Sequence, residues 1–118
     1  MATTPMLDAL QGYLKVANNR QQLVATNMAN VDTPGFHTKD INFQAAMQQV
    51  LDKGGEVQLT AASRNVPNLP ERADGNNVNI DREARLLSEN ALRFSVASQL
   101  LKTQIKYLKN AIDEGRNS

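Results

Sequence analysis

The sequence contains no cysteine and no tryptophan, and it has a single histidine, His37. The lack of cysteine excludes disulfides, thiolate metal sites and cysteine nucleophiles. One histidine without a second imidazole or a thiolate argues against a zinc site or a catalytic set, so we expect His37 to be a surface or hydrogen-bonded residue. Neither a cofactor nor a metal is predicted.

Long apolar runs and an excess of one charge are also missing. No stretch approaches the roughly 20 consecutive apolar residues of a membrane span, and the first eight residues lack the pattern of a cleavable secretory signal. Thirteen basic and twelve acidic residues leave a net charge of +1, too weak a field to hold a nucleic acid or an anionic membrane. We predict no nucleic-acid partner and no direct membrane insertion.

The chain of 118 residues is 41% apolar, which suits one domain with a modest core and no enzyme-sized cleft.

Two apolar seams, spaced alternately by three and four residues, are the strongest pattern present. Such spacing places side chains on a narrow stripe of a helix that packs against another helix. The first seam is Leu7, Leu10, Leu14, Ala17, Gln21, Val24 and Met28, and the second is Ile80, Ala84, Leu87, Ala91, Phe94, Ser98, Leu101, Ile105, Leu108 and Ile112. We expect apolar residues outside these seams to be covered by neighbouring molecules, and name Met6, Tyr13, Val16, Leu23, Leu86, Leu100 and Tyr107.

The ends of both helices carry recognisable signals. The first helix should begin near Pro5 and run to about Asn30, where an asparagine can adopt the left-handed conformation that ends a helix. The second should begin at Ile80, capped by Asn79, and run to about Glu114, with Gly115 as its stop. These limits divide the chain into segments 1–31, 32–79 and 80–118.

The middle segment holds three of the four prolines. Pro34 followed by Gly35 fits the two central positions of a type II turn. A short extended piece around Ile41, a short helix stopped by glycines 54 and 55, an extended stretch 57–60 and a mobile loop 61–75 are predicted to follow. The predicted fold is mainly α, with two long terminal helices on either side of an irregular middle.

Two polar blocks next to these helices resemble the motifs of bacterial flagellar axial proteins, and of basal-body rod proteins of the FlgB type in particular. The first block is Asn27, Asn30, Thr33, Pro34, Gly35 and Phe36, and the second is Asp74, Gly75, Asn76, Val78, Asn79 and Asp81. Phe36 stands where that family often has tyrosine, and Asn79 where it often has aspartate.

The resemblance implies a structural subunit of the proximal rod that transmits torque and is required for motility, and it implies that the protein is not an enzyme. It also implies that the two terminal helices pair as an antiparallel coiled coil. The subunit would be exported without a cleavable signal by the flagellar type III apparatus and would lie in the periplasmic part of the basal body. Its expected partners are copies of itself, the adjoining rod proteins and the ring-to-rod adaptor. The assembly seam would comprise Leu7, Leu10, Leu14, Val24, Met28, Leu87, Phe94, Leu101, Ile105, Leu108 and Ile112.

Two other functions are compatible with the residues. One is a coiled-coil adaptor or export chaperone of the flagellar system, which would be a stable helical protein on its own. The other is a small nucleic-acid-binding module that uses the stripe Lys102, Lys106 and Lys109, although nearby acidic residues mostly cancel that charge.

Overall fold

The computed structural model describes residues 4–53 and 63–117. Two long helices dominate it: α1 spans Pro5–Ala29 and α3 spans Ile80–Asn117. Between them lie strand β1 (Lys39–Ile41), helix α2 (Phe43–Asp52) and strand β2 (Ser63–Asn65). The molecule measures 71 × 25 × 17 Å, and its length reflects α3, whose 38 residues extend roughly 57 Å at 1.5 Å per residue. The predicted mainly α fold is confirmed.

The helix starts follow local capping chemistry. The Thr4 hydroxyl accepts a hydrogen bond from the Leu7 amide, with Pro5 in the first turn of α1. Asn79 caps α3 as predicted, since its side-chain oxygen accepts from the Arg82 amide at 3.1 Å. Each cap satisfies an amide that has no partner within its own helix.

The helix ends differ from the predictions in two details. Asn30 ends α1 with φ −105° and ψ 18°, which is not left-handed, because its backbone and side-chain amides both bond to the Thr26 carbonyl instead. Helix α3 passes through Gly115 and continues to Asn117. One glycine in a helix costs only about 1 kcal/mol relative to alanine.

The middle segment contains more regular structure than predicted. Strands β1 and β2 pair antiparallel, with Asp40 opposite Arg64. The prediction of a mobile loop over 61–75 is therefore wrong for Ser63–Asn65. Strand β2 is short and polar and lacks the alternation of apolar and polar residues that predicts a strand. The predicted extended stretch 57–60 lies outside the described residues.

The core has two parts, one on each side of α1. On one side, Val16 of α1 packs with Ile41, Ala46 and Val50 from β1 and α2. On the other side, Leu7, Leu10, Ala17 and Val24 of the first seam are buried, with Leu10 next to Ala97 of α3 and the Ala17 carbonyl bonded to Asn90 of α3. Helix α1 therefore lies between α2 and α3.

The face that α3 buries is shifted from the apolar seam read off the sequence. Its buried residues are Glu83, Leu86, Asn90 and Ala97. The expectation that Val16 and Leu86 are outer positions is wrong, since both are buried, Val16 beneath α2 and Leu86 on the inner face of α3. Polar residues at two of the four buried positions explain why hydrophobic periodicity missed this face.

Candidate functional site

The two motif blocks meet at one end of the helix pair, which we call the junction (residues 27–40 and 72–83). Asn76 is fully buried there. Its side-chain amide donates to the Asn30 and Thr33 carbonyls at 2.9 and 2.8 Å, and its side-chain oxygen accepts from the Val78 amide at 2.8 Å. One side chain thus joins the end of α1 to the segment that leads into α3.

Backbone hydrogen bonds continue this contact between the blocks. The Gly35 amide donates to the Asp74 carbonyl at 2.9 Å, and the Asn77 amide donates to the Phe36 carbonyl at 3.2 Å. Gly35 has φ 74°, and the Phe36 amide bonds to the Thr33 carbonyl, as in the predicted type II turn. The turn therefore has a tertiary partner in the second block.

Asn27 links the same region to the start of α3. Its side-chain oxygen accepts from the Lys39 amide at 3.0 Å, while its amide nitrogen donates to the Lys39 carbonyl at 2.7 Å and to Glu83 at 3.2 Å. Both Asn27 and Glu83 are buried. Because a buried polar group without a partner destabilises a fold, these bonds tie α1, β1 and α3 together.

Two arginines and two carboxylates extend the network across the junction. Arg20 contacts both oxygens of Asp40, at 3.1 and 3.0 Å, and Arg82 bonds to Asp40 at 2.9 Å and to Glu83 at 2.7 Å. The four charges cancel. Sequence reasoning did not identify this network, because Arg20 and Arg82 lie 20 and 42 positions from Asp40 and no local pattern connects them.

The remaining motif residues lie around this centre. Val78 is buried, whereas Thr33, Pro34, Asp74, Asn79 and Asp81 are exposed, and Phe36 is half-buried. His37 is half-buried beside the Glu71 carboxylate, with Nε2 and Oε1 3.1 Å apart.

The predicted seam residues divide between the interior and the surface. Leu7, Leu10 and Val24 are buried within the single chain. Leu14, Met28, Leu87, Leu101 and Leu108 are half-buried, while Phe94, Ile105 and Ile112 are about half exposed. The amino-terminal seam thus lines the interior, and the carboxyl-terminal seam lies next to the buried face of α3.

Helix α3 also presents apolar side chains to solvent. A groove of about 470 Å³ runs between it and α1, which we call the α1–α3 groove, and Leu92 within it is 67% exposed. Its lining is Leu10, Tyr13, Leu92, Arg93, Val96, Ala97 and Leu100. Beyond the groove, α3 also exposes Phe94, Ile105, Tyr107 and Ile112, and exposed apolar patches mark contact sites.

The far end of α3 reaches beyond α1. The Asn27–Glu83 bond and the bond from Asn90 to the Ala17 carbonyl align the helices antiparallel, so the start of α1 falls opposite roughly residues 102–105 of α3. We call residues 105–117 the α3 overhang. Among the described residues, no other helix runs beside it.

The parts of the chain that the structure describes contain no helix long and apolar enough to cross a bilayer. Across the same residues, no three histidine, aspartate or glutamate side chains are grouped as a metal site would require.

The fold and the junction define a helical hairpin protein whose two long helices are closed at one end by paired polar motifs. No family model matches the chain. Several curated relatives match the chain and are named flagellar basal body rod protein FlgB. The relative from Yersinia ruckeri is 31% identical over an alignment covering 93% of this chain and 100% of the relative. The chain belongs to the FlgB family of flagellar basal body rod proteins.

Two further relatives agree with this assignment. The protein of Salmonella typhimurium is 31% identical, and that of Escherichia coli K12 is 30% identical. Each alignment covers 89% of this chain and 91% of the relative. The similarity therefore extends over nearly the full length of the relatives.

Proposed function

We propose that this protein is a structural subunit of the flagellar basal body rod, required for motility and without catalytic activity. Membership of the FlgB family over almost the whole chain is the observation that carries the proposal. We place the subunit in the proximal rod, where it packs with copies of itself and adjoining rod proteins and contacts the ring-to-rod adaptor. Delivery is by the type III export apparatus.

The geometry supports a load-bearing role. Helix α3 runs most of the 71 Å length of the molecule. The junction fixes it to α1 through the Asn27–Glu83 hydrogen bond and the charge network, and the bond from Asn90 to the Ala17 carbonyl adds a second attachment. Close-packed helices transmit strain because their side chains interlock with little free volume. A subunit built this way transmits torque by being stiff.

The exposed apolar face of α3 supports assembly as the mechanism. Its side chains gain stability only when neighbours cover them, at about 25 cal/mol for each Å² of apolar surface removed from water. A contact between two different surfaces, repeated by rotation and rise, gives a helical tube, whereas a closed dimer requires a contact between two identical surfaces. The α1–α3 groove and the overhang are different surfaces, which favours a repeating helical assembly.

Genetic complementation tests the proposal. In a flagellated strain that lacks its own copy, this chain should restore spreading in soft agar, and purified basal bodies should contain it and carry rods. A coiled-coil chaperone or adaptor would restore motility but be missing from the purified basal bodies. Cells that swim normally without the chain, with complete rods, would overturn the proposal.

A further inference from the structure

We propose that the α3 overhang of one copy seats in the α1–α3 groove of the next copy, with the two α3 helices parallel and staggered by 12–13 residues. This inference rests on the proposed function, because only an open, repeating contact builds a rod. It specifies which two surfaces meet and in what register.

The two surfaces match in length and chemistry. The groove's exposed apolar side chains run from Leu92 to Leu100, and those of the overhang run from Ile105 to Ile112. At 1.5 Å per residue these stretches span roughly 12 and 11 Å. Every copy carries both surfaces, so a single kind of contact between neighbouring copies removes both the groove and the overhang from water.

The stagger follows from aligning the ends of the two stretches. Leu92 then lies level with Ile105 of the next copy, an offset of 13 residues, and Leu100 lies level with Ile112, an offset of 12. The axial shift is roughly 19 Å. A parallel arrangement leaves the second copy's groove free for a third copy, whereas an antiparallel one places each overhang opposite the partner's groove and closes the pair.

Charges agree with the parallel register. Glu89, which forms an exposed ion pair with Arg85 at 3.2 Å, lies one turn before Leu92 on the groove side of α3, and the stagger brings Lys102 of the next copy level with it as a second cation. Lys106 comes level with Arg93, but it points roughly 130° away from the apolar stripe of the overhang. The Arg93 guanidinium lies 5.4 Å from the centre of the Phe43 ring, so it already has an intramolecular partner.

Cysteine cross-linking tests the register, and the cysteine-free chain provides a clean background. Leu92→Cys and Ile105→Cys variants are expressed together in cells without the parent gene, and isolated basal bodies are oxidised. A disulfide requires Cα atoms within about 7 Å, so this pair should cross-link between copies. The matched pair Leu92→Cys with Ile112→Cys, which an antiparallel contact would bring together, should not.

Two additional measurements distinguish the possible outcomes. The pair Leu100→Cys with Ile112→Cys repeats the test with a different groove position and should also cross-link. A single chain carrying both Leu92→Cys and Ile105→Cys should give a ladder of oligomers, because an open contact repeats. If basal bodies contain the variants but Leu92→Cys joins Ile112→Cys, or neither parallel pair reacts, the inference is overturned while the proposed function stands. Absence of the parent chain from basal bodies overturns both.

Discussion

Replacing Asn76 by alanine should open the junction between the two motif blocks. The side chain is fully buried and takes part in three hydrogen bonds of 2.8–2.9 Å. At about 1 kcal/mol net for each hydrogen bond lost, Asn76→Ala should lower the free energy of unfolding by about 3 kcal/mol, more than a hundredfold in the equilibrium constant. Asn76→Asp should be at least as harmful, because a carboxylate oxygen would then face the Asn30 and Thr33 carbonyls.

Urea unfolding followed by circular dichroism measures the loss, and amide hydrogen exchange locates it. The Gly35 and Asn77 amides donate across the junction, so their exchange should accelerate more than that of amides in the middle of α1. Asn65→Ala is the matched control: Asn65 is exposed in β2, and a surface change of this kind should stay within about 0.5 kcal/mol of the parent. If Asn76→Ala is as stable as Asn65→Ala, the account of the junction is refuted.

Three further substitutions test other parts of the structure, each by the same unfolding measurement. Glu83→Ala should lower the free energy of unfolding by about 3 kcal/mol, because it removes a buried partner of Arg82 and Asn27. The control is Arg85→Ala, which removes only an exposed pair with Glu89. If Glu83→Ala costs no more than this control, the charge network does not stabilise the fold as described. Gly35→Ala should lower the free energy of unfolding by about 1–2 kcal/mol, because an L-residue is disfavoured at φ 74°. Unchanged stability would argue against the turn. Leu86→Ala should lower the free energy of unfolding by about 2–5 kcal/mol. The loss should exceed that of Phe94→Ala, since Leu86 is buried and Phe94 is 43% exposed. The reverse order would show that α3 buries the face predicted from the apolar pattern.

The helices and the turn could be predicted from the sequence because their signals are local. Pro5 and Asn79 mark helix starts, and Pro34 with Gly35 requires only four neighbouring residues to define a turn. The two seams indicated that each long helix needs a helical partner. These features depend on periodicity and capping, which short windows of sequence contain. The antiparallel pairing of the two helices was implied by the family resemblance.

The inner face of α3 and the junction depend on contacts between distant residues. Glu83 is buried with hydrogen bonds from Asn27 and Arg82. The buried Asn90 side-chain amide donates to the Ala17 carbonyl and to Gln21, while its side-chain oxygen has no partner among the described residues. A hydrophobic pattern assigns polar residues to the surface, so the face of α3 that we predicted to be buried was the one with Leu87 and Phe94. The motif residues were identified by family resemblance, whereas their pairing through Asn76 became visible only in three dimensions.

A charge at Ile105 tests the central claim, that neighbouring subunits cover the exposed apolar face of α3, more directly than any other change. Ile105 is 50% exposed, so Ile105→Asp should fold with nearly the parent's stability, as should the control Asn110→Asp on the same helix. In cells that depend on this chain for swimming, Ile105→Asp should be missing from purified basal bodies and abolish spreading, while Asn110→Asp should restore both. Normal spreading and incorporation with Ile105→Asp would contradict the claim.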